Sequence, residues 1–277
     1  LLNSFDKTLL GEQILRISYA EQEIELVVTV VDSTAPKITL NGEEEVTIQI
    51  GEDYVELGAT AIDNYDGEVS VVISENTINP LKVGDYEVVY QAVDAHGNIA
   101  TKKRIVHIVD YTIPEITVNS DLEVKIALGE EFTIPSATAN DGYDGDITSS
   151  IVVTGSVDNT KVGTYEIKYN VTDSCGNKAE EVIVRVTVED RTAPIITPAE
   201  DNVYSMEVKR EKPSFNATAS DNYDETVEVV ITDDIDVNKV GTYTVTFTAT
   251  DVAGNTATET REFKVVDTTA PVITLNG

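Results

Sequence analysis

Three stretches of the chain alternate apolar and polar residues with a period of two, the pattern of a strand covered on one face only. In the first, Tyr86, Val88, Tyr90 and Ala92 fall on one side, with Asp85, Glu87 and Gln91 on the other. The same parity recurs in Tyr165, Ile167, Tyr169 and Val171 against Thr164, Glu166 and Lys168, and again in Tyr243, Val245, Phe247 and Ala249. Each stretch runs into an Asp-x-x-Gly-Asn segment at Asp94, Asp173 or Asp251, where Gly and Asn are expected to supply the left-handed backbone of a hairpin loop. A final strand follows. Counted back from the Asp that closes it, its inward positions are Ile108 and Val106, Val188 and Val186, and Val265 and Phe263, which leaves His107 on the outer face.

These pieces keep a common spacing. The prolines of four x-Thr-x-Pro-x-Ile-Thr phrases, Pro36, Pro114, Pro194 and Pro271, stand 78, 80 and 77 residues apart. Segments IDNYDGE, NDGYDGD and SDNYDET, the Lys-Val-Gly openings at Lys82, Lys161 and Lys239, and the closing Asp32, Asp110, Asp190 and Asp267 share that period. It is too long for a solenoid repeat, so each period reads as a domain: complete units at 33–110, 111–190 and 191–267. Short strands with a turn signal about every ten residues point to an all-β fold, tandem immunoglobulin-like antiparallel β-sandwiches. The Tyr after each Val-Gly is expected to form a tyrosine corner. About three residues part each closing Asp from its Pro, whose ring restrains two residues of backbone, so the units are expected to form an extended rod.

Residues 1–32 match the finish of such a unit, with Gly11 opening a strand, a turn at Ala20–Gln22 and a last strand closing on Asp32. They read as the C-terminal half of an Ig-like domain, since a lone hairpin is marginal in water. Residues 268–277 read as the first strand of a further Ig-like domain.

Composition narrows function mainly by exclusion. Fifty acidic residues against 19 basic ones give a net charge of -31, which repels phosphate backbones and anionic lipid. Nucleic acid is not an expected partner. No apolar run is long enough for membrane insertion of this segment, and the single Cys175 allows no intrachain disulfide. The two histidines, His96 in a hairpin and His107 on an outer face, have no repeated partner and read as surface residues. Cys175 lacks a nearby base, and no residue reads as catalytic. Asn170-Val-Thr172 and Asn216-Ala-Thr218 match a glycosylation acceptor of low specificity.

The three units resemble the bacterial Ig-like repeat family named after a pesticidal crystal protein, marked by D-x-T-x-P-x-I, A-T-A-x-D-N-x-D-G, K-V-G-x-Y and D-x-x-G-N. The opening FDKTLLGEQILRISYAEQEIELVVTV is similar to the second half of another bacterial Ig-like family. Two departures stand out: Asp224-Glu225 in place of Asp-Gly, and Asp141-Gly142 in place of Asp-Asn. The resemblance implies tandem repeats of a large secreted or wall-anchored bacterial protein, so an extracellular or cell-surface location.

In an Ig-like sandwich the loop after the second strand, the last hairpin and the incoming linker share one end. That would gather Asp32, Asp63, Asp66, Asp94 and Asn98 in the first unit. The second would gather Asp110, Asp141, Asp144, Asp173 and Asn177, and the third Asp190, Asp221, Asp224, Asp251 and Asn255. Such sets offer much of the six- to eight-oxygen shell of Ca²⁺, at the roughly 10⁻⁴ to 10⁻³ M affinity of extracellular modules. The competing reading is that these residues only make turns. The expected function is a non-enzymatic stalk or fibre segment of an adhesin-like surface protein, calcium-stiffened at its junctions. Its partners would be neighbouring repeats and other copies in a fibre or surface layer. Rival readings are a module binding a glycan or host protein, an accessory region of a secreted enzyme or toxin, and polymerisation by strand exchange through 268–277.

Overall fold

A computed structural model describes residues 3–274. The described chain is all-β apart from one short 3₁₀ turn, Thr148–Ser150. Three sandwiches follow an N-terminal ribbon. In the first, strands Lys37–Leu40, Ala59–Asp63 and Gly67–Val69 form one sheet in that order; Glu45–Gln49, Ile99–Val109, Gly84–Val93 and Val71–Asn76 form the other. The second repeats the plan with Glu115–Val118, Ala137–Asp141 and Gly145–Asp146, and with Glu123–Ala127, Val182–Glu189, Gly163–Asn170 and Val152–Thr154. In the third, Ile195–Pro198 pairs with Ala217–Ser220, opposite Ser205–Glu207, Thr256–Val266, Gly241–Thr250 and Val229–Asp233.

The parity read from the sequence is the observed one. Val88, Tyr90, Ile167, Tyr169, Val245 and Phe247 are buried against Val106, Ile108, Val184, Val186, Val188, Phe263 and Val265. The tyrosine corner is also present: Tyr86, Tyr165 and Tyr243 donate their hydroxyls to the carbonyls of Lys82, Lys161 and Lys239, at 2.9, 3.0 and 2.7 Å. His107 lies on the outer face, where its Nδ1 meets Asp85 at 2.6 Å.

Four details differ from expectation. The sandwiches are not purely antiparallel, because Glu45–Gln49, Glu123–Ala127 and Ser205–Glu207 pair in parallel with the last strand of their repeat. In the Asp-x-x-Gly-Asn hairpins only glycine is left-handed (Gly97 φ 88°, Gly176 94°, Gly254 96°), and Asn instead closes the loop by offering its carbonyl to the Asp N–H. The third repeat keeps only a single bridge, Ala219 to Val227, where the others have a third strand. There Glu225 stands in place of Gly67 (φ 75°) and Gly145 (φ 70°), and a residue with a Cβ resists that left-handed turn. Lastly, no strand forms over 267–274 within the described residues, and the rest of the stretch expected as a first strand lies outside them.

The ribbon pairs Gly11–Tyr19 with Gln22–Val30 through the two-residue turn Ala20–Glu21. Two compact units divide the chain. One runs through Glu115 and takes in Asn140–Ile147 and Thr172–Ala179; the other holds Ile116–Ala139, Thr148–Val171 and the chain from Glu180 onward.

Candidate metal centre

Each repeat builds the same acidic corner from three turns, and each corner lies within one compact unit. The linker turn comes from Asp-x-Thr: Asp32, Asp110 and Asp190 accept the main-chain N–H of Thr34, Thr112 and Thr192 on Oδ1, at 3.1, 3.0 and 3.1 Å. The loop turn comes from Asp-x-Tyr-Asp. Asp63, Asp141 and Asp221 each accept two successive N–H groups on one oxygen, those of Tyr65 and Asp66, Tyr143 and Asp144, and Tyr223 and Asp224. In the hairpin, Asp94, Asp173 and Asp251 accept the N–H of Asn98, Asn177 and Asn255 on Oδ1 at 2.7 to 2.8 Å.

These turns bring four carboxylates together in the first repeat and three in each of the others. Oxygens of Asp32, Asp63, Asp66 and Asp94, of Asp110, Asp141 and Asp173, and of Asp190, Asp221 and Asp251 lie within 4.8 Å of one another in each set. Six oxygens of these aspartates are buried without a hydrogen-bond donor: Oδ2 of Asp32, Asp63, Asp110, Asp141 and Asp190, and Oδ1 of Asp221. There are two in every corner. A buried anionic oxygen without a donor is costly, so each corner fits a cation in both charge and donor type.

Surrounding hydrogen bonds lower the pKa of four of these carboxylates, Asp63, Asp94, Asp110 and Asp221. Asp63 is held below the usual carboxylate range by the N–H groups of Asp66 and Tyr65. For Asp110, burial pushes upward, but the Thr112 hydroxyl and N–H and the Gln49 amide outweigh it. Asp94 is lowered in the same way, with burial opposed by Asn98 and His96. Asp221 is lowered by the N–H of Tyr223 against burial.

The residues expected as ligands divide among different contacts. The side chains of Asn98, Asn177 and Asn255 turn their Nδ2 toward the corner. Each Nδ2 donates to Oδ2 of Asp94, Asp173 or Asp251 at 2.7 to 2.8 Å and to the carbonyl of Asp32, Asp110 or Asp190 at 3.0 to 3.4 Å. Both partners are acceptors, so it is the amino group that faces them, and these asparagines tie the hairpin to the linker. Asp144 and Asp224 stand outside the clusters and latch loop to hairpin. Asp144 takes Ser174 N–H and hydroxyl at 2.7 Å each, and Asp224 takes Val252 N–H at 2.8 Å. Asp66 makes the same latch to Ala95 N–H at 2.9 Å while remaining in the cluster.

Two residues were missed by reasoning from sequence. Gln49 donates to Asp110 Oδ1 at 3.1 Å and accepts Tyr111 N–H at 3.0 Å, bracing the linker from a strand with no motif of its own. His96 is not a bystander: its Nδ1 is 3.2 Å from Asp66 Oδ2 and 3.7 Å from Asp32 Oδ2. Its place in the Asp-x-x-Gly-Asn hairpin was the available signal. Cys175, at the matching place in the second repeat, is exposed; partial burial and the carboxylates of Asp110, Asp173 and Asp144 push its thiol up, against a lowering hydrogen bond from Ser174.

A sandwich of this topology, with a tyrosine corner and an acidic end corner repeated in register, defines a tandem Ig-like module. Residues 38–108, 116–188 and 209–265 match the family described as bacterial surface protein, Ig-like domain. The chain belongs to that family. It is 30% identical over 203 residues to Internalin I of Listeria monocytogenes, covering 69% of this chain and 11% of that protein. It is 28% identical over 217 residues to pesticidal crystal protein Cry22Aa of Bacillus thuringiensis (73% and 28%), and 35% identical over 133 residues to the outer cell wall protein of Brevibacillus brevis (42% and 12%). The chain thus spans 11% to 28% of the length of these relatives. Family and relatives together mark it as a surface-protein module, and no helix among the described residues is long and apolar enough to cross a membrane.

Proposed function

We propose that this chain is a non-enzymatic, structural segment of an extracellular bacterial surface protein, a stalk of Ig-like repeats whose corners each take a Ca²⁺ ion. One observation carries the reading: all three corners leave two buried carboxylate oxygens without donors where linker, loop and hairpin meet. A cation there ties the last residue of one repeat to two loops of the next, which restricts the swing of the linker and stiffens the stalk. At roughly 10⁻⁴ to 10⁻³ M affinity the corners fill outside a cell and empty inside one. The carboxylate clusters are made by turns that recur in every repeat rather than by a single cleft, which supports a mechanical role over a catalytic one.

Chelator-treated protein is to be compared with protein in 10 mM Ca²⁺ by calorimetry and small-angle scattering. Mass action at that concentration stabilises each corner by about 1.4 to 2.7 kcal/mol for dissociation constants of about 10⁻³ to 10⁻⁴ M. Unchanged melting and an unchanged scattering profile would overturn the calcium reading.

A further inference from the structure

The three corners share a backbone plan but differ at the third position of the Asp-x-x-Gly-Asn hairpin, which is His96 in the first repeat, Cys175 in the second and Ala253 in the third. Only the first places a nitrogen donor in its cluster: His96 Nδ1, Asp66 and Asp32 offer ligand atoms within 4.8 Å of one another. The Nδ1 lies 3.2 Å from Asp66 Oδ2 and 3.7 Å from Asp32 Oδ2. Two ligands about 2.0 to 2.2 Å from one ion lie about 2.8 to 3.6 Å apart at octahedral or tetrahedral angles, so this spacing is close to a ready coordination edge. A second, independent observation points the same way. The Asp32 side chain is only 4% exposed and its Oδ2 accepts no hydrogen bond, and Asp63 Oδ2 beside it is likewise buried without a donor. The Tyr65 ring packs edge-on to the imidazole at 5.4 Å and 76°, limiting its rotation.

We propose that the first corner is a mixed-donor site for a late first-row divalent cation, Zn²⁺ in preference to Ca²⁺, held by His96, Asp66 and Asp32, with Asp63 adding charge beside them. This rests on the reading of the corners as cation sites. Imidazole is a good donor for Zn²⁺ and its neighbours in the series, whereas Ca²⁺ takes oxygen ligands, so the histidine changes selectivity without changing the turns. The other described imidazole, His107, faces Asp85 on an outer strand face away from any cluster. The corners would then differ in kind: one sensitive to transition metals, and two to calcium.

The test is calorimetric titration of metal-free protein, lacking any histidine affinity tag, with Zn²⁺ and Ca²⁺ separately, with Co²⁺ absorption as a spectroscopic report of nitrogen ligation. Wild type, His96→Ala and Ala253→His are compared, since His96→Ala gives the first corner the residue of the third. Wild type is expected to bind one Zn²⁺ more tightly than Ca²⁺. His96→Ala should weaken Zn²⁺ about tenfold or more and leave Ca²⁺ binding intact, and Ala253→His should create a second Zn²⁺ site. Equal melting of the metal-free proteins controls for folding. Zn²⁺ affinity untouched by His96→Ala, or no preference for Zn²⁺ at the first corner while Ca²⁺ binds all three, overturns this inference and leaves the calcium reading standing. Failure of both ions to bind overturns both.

Discussion

Replacing Arg104 by valine should unfold the first repeat well before the second. Arg104 sits opposite Val88 in the strand pair where the second repeat sets Val184 opposite Ile167, and Arg104 and Val184 are both 0% exposed. The guanidinium is satisfied on every side: it donates to the carbonyls of Glu43 and Asn41, to the hydroxyls of Tyr54 at 3.2 Å and Tyr90 at 2.8 Å, and to Glu56 Oε1 at 3.0 Å. Tyr90 also donates to Glu56, whereas its counterpart Tyr169 donates to the carbonyl of Pro135 and needs no ion pair.

Arg104→Val leaves Glu56 and the two carbonyls without this donor, and removing one partner of a buried ion pair costs about 3 to 5 kcal/mol. The Glu56 side chain is 28% exposed, so water recovers part of the loss and about 3 kcal/mol is the expected value. A domain of this size melts about 4 to 8 °C lower per kcal/mol, so its transition should fall by more than about 10 °C and separate from that of the second repeat. The assay is scanning calorimetry with amide exchange, comparing residues 84–109 with 163–189. In the double substitution Arg104→Val with Glu56→Leu both charges are gone, and most of the stability should return. A loss below about 1 kcal/mol for the single substitution, or a double variant less stable than the single, would refute this account.

Four further outcomes follow from the same structure. Burial pushes Glu56 up, but hydrogen bonds from Tyr90, Gly58 N–H and Tyr54 and the charge of Arg104 hold it below the ordinary value. Its contribution is therefore present above the unfolded-state pKa of about 4.3 and lost as pH falls through the lower folded value, so acid titration followed by amide exchange should melt the first repeat's network in that window, and Glu56→Gln should flatten the dependence. Glu225→Gly should allow the left-handed turn that Gly67 and Gly145 make and add amide protection at 225–227; unchanged exchange there would count against the turn as the cause of the lost strand. Ala20 (φ 51°) and Glu21 (φ 66°) hold a turn that suits Asn-Gly, so the paired change should stabilise the ribbon by about 1 to 2 kcal/mol, read from exchange across Gly11–Tyr19. Tyr165→Phe removes the hydroxyl bonded to Lys161 and should cost the second repeat about 0.5 to 1.5 kcal/mol in urea unfolding.

The parts of the fold legible in the sequence are those with a local period. Alternation set the inward faces of the last two strands, and the Gly and Tyr of the corner follow from a strand opening that needs both. The parallel strands Glu45–Gln49, Glu123–Ala127 and Ser205–Glu207 carry no such mark, because five or fewer residues pair in parallel or antiparallel with the same alternation. Arg104 defeats the period in another way. Its position is inward by parity, yet what makes an inward charge tolerable is Glu56, Tyr54 and Tyr90, at separations of 48, 50 and 14 residues that no local pattern encodes.

At the acidic corners, turn-making and ion-binding stood as competing readings of the same aspartates. In the linker and loop aspartates the turn takes one carboxylate oxygen and leaves the other buried without a donor. Asp63 spends Oδ1 on two turn N–H groups and leaves Oδ2 buried without a donor; Asp141 does the same, and Asp221 does so with the two oxygens exchanged. Asp32, Asp110 and Asp190 follow suit, with Oδ1 on the linker turn and Oδ2 free. Holding one oxygen against the backbone restrains the carboxylate, so turn-making does not consume the oxygens that a cation would need. The hairpin aspartates differ, because Oδ1 takes the Asn N–H and Oδ2 the Asn amide, and they add charge beside the pair of open oxygens. A change of Asp63, Asp141 or Asp221 to Asn therefore keeps an acceptor for the turn while removing the anionic oxygen. With cation-binding corners, those variants should be at least as stable as wild type in chelator and lose the response to Ca²⁺; a wild type that shows no response to Ca²⁺ to lose would leave the corners as turns alone.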